Sequence, residues 1–80
     1  MNDVKTKVIE LIIQLFSTNK NIINDDIGPG DLSQWDSLGH LRLISELEKL
    51  FNFQFSGNDV MSMNNIKNII KIINKNIDKK

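Results

Sequence analysis

Cysteine is absent from this 80-residue chain, so neither a disulfide framework nor a thiolate metal site is available to it. Histidine occurs once, as His40. A metal site would therefore be built almost wholly from carboxylates, and no loop has the ligand spacing of a calcium-binding hand. No metal is expected. No stretch is apolar for long enough to span a bilayer, and none is expected to enter one. The first residues, Met1-Asn2-Asp3-Val4-Lys5, lack the charged region and apolar run of a signal peptide, which sets the expectation of a cytoplasmic protein. The length suits one domain, residues 1–80, near the lower limit for a core that holds without staples.

Net formal charge is zero, but the signs are segregated. Between Ile22 and Asp59 the acids are Asp25, Asp26, Asp31, Asp36, Glu46, Glu48 and Asp59, against Arg42 and Lys49. From Lys67 onward come Lys67, Lys71, Lys75, Lys79 and Lys80, with Asp78 the sole acid. A nucleic-acid binder would gather its basic groups on one recognition element, so nucleic acid is not the expected partner. The lysines are read as a solvated helix face.

Three segments carry helical periodicity. The first runs from about Asp3 to Phe16, with Val4, Val8, Leu11, Ile12 and Leu15 at spacings of three and four. The second starts at Asp36 or Ser37 and runs to about Phe51; Leu43, Ile44, Leu47, Leu50 and Phe51 form its apolar face, widened by Leu38 and Leu41. The third runs from about Asn64 to Ile77 on Ile66, Ile69, Ile70, Ile73 and Ile77, with Ser62 as its expected N-cap. Isoleucine also suits strands. Here the Asn and Lys between the isoleucines fall at helical spacing, which favours the helix. A loop from Ser17 to Trp35 separates the first two helices, broken by Gly28-Pro29-Gly30. Its Ile22, Ile23, Ile27, Leu32 and Trp35 predict that it packs back onto the bundle, Trp35 as the anchor. Between Asn52 and Ser62 a single short helical turn is expected around Asn58 to Met61. The fold class is all-α: three main helices plus one short one, with a long packed loop.

No self-sufficient enzyme is visible. A serine–histidine–acid set would need His40 as base three residues after Ser37, where contact is possible. There is no glycine elbow, no evident oxyanion hole and little room for a cleft. Ser37 makes better sense as an attachment point, because a helix N-terminus offers unpaired N–H groups and a partial positive charge. A phosphodiester there gains about 0.3–1 kcal/mol if exposed. Asp36 opposes a second negative charge unless a divalent cation bridges the two during attachment. Taken alone, Asp36-Ser37-Leu38 also reads as an ordinary N-cap.

The wider pattern is Leu32, Trp35-Asp36-Ser37-Leu38-Gly39-His40-Leu41, Leu43-Ile44, Leu47-Glu48, Phe51 and Phe55. It resembles the acyl carrier protein family over nearly the whole chain, and most of all discrete carriers with a Trp-Asp-Ser-Leu-Gly-His-Leu run. The resemblance implies that a phosphopantetheinyl transferase, using coenzyme A and magnesium, places 4′-phosphopantetheine covalently on Ser37. The arm's thiol would then hold acyl groups as thioesters, supplying the sulfur the chain lacks. It further implies that Asp36 helps position the metal during attachment and that Leu38 and Leu41 touch partner enzymes. The partners would be an acyl-loading ligase or acyltransferase and downstream acyl-processing enzymes, served by a monomeric, non-enzymatic carrier.

The best-known fatty-acid carriers have a densely acidic second helix, whereas this one offers Glu46 and Glu48 as its partner-binding acids, diluted by Arg42 and Lys49. Electrostatic complementarity governs partner choice and association rate, which points to a dedicated pathway rather than general fatty-acid synthesis. His40 is read either as tuning contacts or pH response near Ser37, or as a partly exposed histidine without a task. Met61 and Met63 line an adaptable cavity or belong to the core. The rival reading is a small helical interaction module, or a helix-turn-helix nucleic-acid binder, without a prosthetic group.

Overall fold

Apolar residues at positions 4, 8, 12 and 16 lie on one helical stripe, and in the computed structural model, which describes residues 4–78, that stripe is sealed. Helix α1 (Val4–Phe16) buries Val4, Val8, Ile12 and Phe16. It packs on both α2 (Ser37–Phe51) and α4 (Ile66–Asp78), so the first helix is the wall that the other two long helices share. From α2 come Leu43, Ile44 and Leu47, and from α4 Ile66, Ile69, Ile72 and Ile73. Trp35, Phe55 and Met63 close the core from the connections. The short α3 (Gly57–Met61) sits between α2 and α4, and a 3-10 turn (Lys20–Ile22) interrupts the long loop. No strand occurs among the described residues. The fold is a small all-α bundle, as the periodicity predicts, and its radius of gyration of 11.6 Å is that of a compact chain of this length. Among the described residues no helix is long and apolar enough to cross a membrane.

The helix ends are made by local chemistry. Helix α1 stops at Ser17, which turns left-handed (φ 52°) while the Thr18 N–H reaches the Ile13 carbonyl at 3.1 Å. This six-to-one bond satisfies a carbonyl that the helix leaves open. Asn52 (φ 60°, ψ 49°) ends α2 in the same conformation, which asparagine tolerates better than most residues.

The long loop does pack back. Ile23, Ile27 and Leu32 are half-buried against the core, and Trp35 is fully buried, as expected of an anchor. Its fastening is largely backbone. The Ile66 and Lys67 N–H groups, in the first turn of α4, donate to the carbonyls of Ile27 (2.9 Å) and Asp25 (3.0 Å). Gly28 lies so close to the Asn64 carbonyl that a side chain there would collide with it.

Several expectations are corrected. Ser62 does not cap α4; it ends α3, its N–H donating back to Asn58 and Asp59 carbonyls at 3.1 Å. The closing helix starts at Ile66 rather than Asn64, and the Asn65 side chain accepts from Asn68 N–H at 2.8 Å. Asn65 is as good a capping type as serine. Leu50 and Ile22 are exposed rather than packed, because the bundle ends before it reaches them. Leu38 and Leu41 do not widen the buried face of α2. The two methionines part company: Met63 is core and Met61 is 80% exposed. Asp3, Lys79 and Lys80 lie outside the described residues. Lys67, Lys71 and Lys75 are exposed, as read.

Candidate functional site

Ser37 is the first residue of α2, and three neighbours fix it there. Asp36, in extended backbone, is the N-cap: its Oδ1 accepts the Gly39 N–H at 2.8 Å. Its own carbonyl accepts the His40 N–H at 2.8 Å, the first rung of the helix. Gly39 is buried against the preceding turn, and a Cβ there would collide with the Gln34 carbonyl and stand 3.0 Å from the Phe16 ring. A glycine at this position lets loop and α1 press against the opening turn of α2. Ser37 itself is exposed.

The turn before Asp36 is a closed unit. Asp31 Oδ2 accepts the Gly28 N–H (2.7 Å), and the Asp31 N–H donates to the Gly28 carbonyl (3.0 Å). The Gly30 N–H donates to the Trp35 carbonyl (2.7 Å), with Gly30 at φ +95°, a conformation that side chains disfavour. Trp35 stacks on Phe16 (ring centroids 5.4 Å apart), and the His40 ring lies 6.2 Å away, tilted by 22°, at the indole's N–H edge. Its indole Nε1–H donates to His40 Nδ1 at 3.0 Å. Burial lowers the His40 pKa below the usual histidine value, favouring the neutral ring.

Beside Ser37 lies an open depression of about 550 Å³, lined by Pro29, Gly30, Asp36, Ser37, His40 and Leu41. Leu38 and Leu41 are 73% and 59% exposed, an apolar shoulder next to the serine. Residues 37 and 38 hold the first two positions of α2, whose N–H groups have no intrahelical partner, and no other described group takes them. An exposed hydroxyl, free first-turn N–H groups and an open concavity beside them fit a phosphate-linked group on Ser37. One Asp36 oxygen is committed to the cap; Oδ2 accepts no bond among the described residues.

The structure brings Asp36, Ser37, His40 and Leu41 to one depression; Leu38 is exposed but does not line it. It does not bring Glu46 and Glu48 there. Glu46 pairs with Lys49 at 3.7 Å on the helix surface. Glu48 Oε2 accepts the Phe55 N–H at 2.9 Å and anchors the connection to α3, so its carboxylate is a structural tie. A second acid, Asp59, is built into the fold. Burial would raise its pKa, but hydrogen bonds from Asn76 and Ser56 and the charge of Lys75 (3.7 Å) outweigh this and hold it below the carboxylate range. Among the described residues no three His, Asp or Glu side chains gather as a metal site.

Neither the Trp35–His40 hydrogen bond nor the contact made by Gly39 is plainly visible in the amino-acid pattern. A faint signal existed: tryptophan and histidine five apart across an N-cap, and a glycine where helices favour other residues. No family model matches the sequence.

Proposed function

We propose that this chain is an acyl carrier protein of the cytoplasm, bearing 4′-phosphopantetheine on Ser37. The observation that carries the proposal is the presentation of Ser37: exposed, at the head of a capped helix, on the wall of an open depression. In attachment, the Ser37 oxygen forms a bond to the pantetheine-side phosphorus of coenzyme A while the pyrophosphate P–O bond breaks. Adenosine 3′,5′-bisphosphate leaves and the hydroxyl proton passes to solvent or to the transferase. Asp36 Oδ2, which lies outside the cap, would be the oxygen able to meet a magnesium ion during this step. The arm, once attached, supplies the thiol that holds acyl groups as thioesters.

Partner enzymes, a loading ligase or acyltransferase and those that process its product, would meet Leu38 and Leu41 first. With Glu46 paired and Glu48 tied internally, α2 offers them little free negative charge. Docking by apolar contact rather than by an acidic face supports service to a dedicated pathway. The decisive measurement is intact mass after incubation with coenzyme A, magnesium and a broad-specificity transferase. Wild type should gain one phosphopantetheine and Ser37→Ala none. No gain in wild type, or a gain that survives in the variant, defeats the proposal.

A further inference from the structure

A neutral imidazole has one N–H donor and one lone-pair acceptor, and its partners decide which nitrogen is which. In this fold the choice is made by Trp35, whose indole can only donate. Because it donates to His40 Nδ1, that nitrogen holds the lone pair and the proton of the neutral ring sits on Nε2. The lock is stiff. Trp35 is completely buried and stacked on the Phe16 ring, with His40 at its N–H edge, so the indole cannot swing away without opening the core. Nε2, by contrast, has no partner among the described residues and is not sealed from solvent. The ring borders the same depression as Ser37.

We propose that His40 is a positioning residue for the anion esterified to Ser37, its Nε2–H held ready as a donor by the Trp35 hydrogen bond. This rests on the reading of Ser37 as the attachment point. The ordinary alternative, a histidine that merely accepts the indole N–H, leaves Nε2 without a role. Protonation would put a second hydrogen on Nδ1, facing the indole N–H, and break the lock. Burial of the ring disfavours the same event. Of the other groups around the ring, Asp36 on α2 is the titratable one lining the depression, and its Oδ1 is engaged by Gly39. The loop contributes Trp35, Pro29 and Gly30 and α1 contributes Phe16, none of them charged.

The test is a pH titration of the His40 ring by long-range ¹H–¹⁵N NMR on the full chain, before and after treatment with coenzyme A, magnesium and a transferase, with mass measured on the same samples. The untreated protein should show the Nε2–H tautomer. Attachment should raise the His40 pKa by about one unit, because an anion that accepts the Nε2–H favours the charged ring over the neutral one. Ser37→Ala, treated identically, should not shift. A complete mass gain with an unchanged titration overturns the role of His40 and leaves the attachment standing. An untreated ring protonated on Nδ1 overturns it as well. Absence of any mass gain overturns both.

Discussion

The openings of α2 and α3 use the same four-residue plan with opposite results. At α3, Ser56 Oγ accepts the Asp59 N–H at 3.1 Å, and Asp59 Oδ2 reaches back to the Ser56 N–H at 3.4 Å. Asn76 and Lys75 of α4 complete the coordination of that carboxylate. The box is closed on both sides and spent on stability. At α2, Asp36 caps Gly39, but the third position is glycine, so nothing reaches back. The room a side chain would occupy is taken by the Gln34 carbonyl and the Phe16 ring. One helix start is a structural joint; the other is drawn tightly onto the core on its inner side and left chemically open on its outer side. A cap motif in a sequence is therefore not by itself a sign of either role. What separates them is whether the third residue returns the bond.

The comparison breaks most readily at its glycines. Gly39→Ala should destabilise the fold by about 2 kcal/mol, because the new methyl meets a backbone carbonyl that cannot move aside. Gly57→Ala, at the first position of α3 with open space around it, should be neutral or gain up to about 1 kcal/mol. Urea denaturation of both variants measures the contrast, and equal effects would remove it.

Asp59→Asn should cost about 1–2 kcal/mol at neutral pH, since it replaces the charged acceptor of the Ser56 and Asn76 N–H groups by a neutral one and removes the charge facing Lys75. The folded carboxyl has the lower pKa, so its stabilisation is complete above the unfolded value of about 3.9 and fades as pH falls through that value and the lower folded one. Thermal melts of wild type and variant should converge in that acid range; a gap independent of pH would contradict the assignment.

Among the losses of stability the smallest is expected from Asp36→Ala, about 1 kcal/mol for a single one-sided cap. It should slow attachment of the arm more than its stability loss explains. An unchanged rate of mass gain at saturating magnesium would mean that Asp36 is only a cap.

The long helices were legible because amphipathic spacing reports burial directly, and α1 and α2 end within a residue or so of their expected limits. Trp35 was legible too, as an aromatic residue stranded in a polar loop. The start of α4 was not. Ser62, Asn64 and Asn65 are all capping types, and the choice among them is made by the carbonyls of Asp25 and Ile27, which the local sequence cannot show. Ile22 and Leu50 read as apolar and buried, yet lie where the bundle has run out of surface to cover them. At the site, Ser37 and its neighbours stood out as a contiguous run, whereas the bond from the Trp35 indole depends on a fold in the chain. The two glutamates of α2 looked equivalent as letters, and only the return of the chain at Phe55 separates them.

The strap from Asp25 and Ile27 to α4 has a consequence for how the molecule is assembled. Its two bonds join points about forty positions apart along the chain, so they form only after a large loop has closed, a step whose entropic toll slows folding. The segment leading to Trp35 is thus moored to the far end of the polypeptide. Shortening the protein before Ile66 would remove this mooring together with the four isoleucines that α4 gives the core, and so disorder the surroundings of Ser37 without altering the sequence of the serine's own helix.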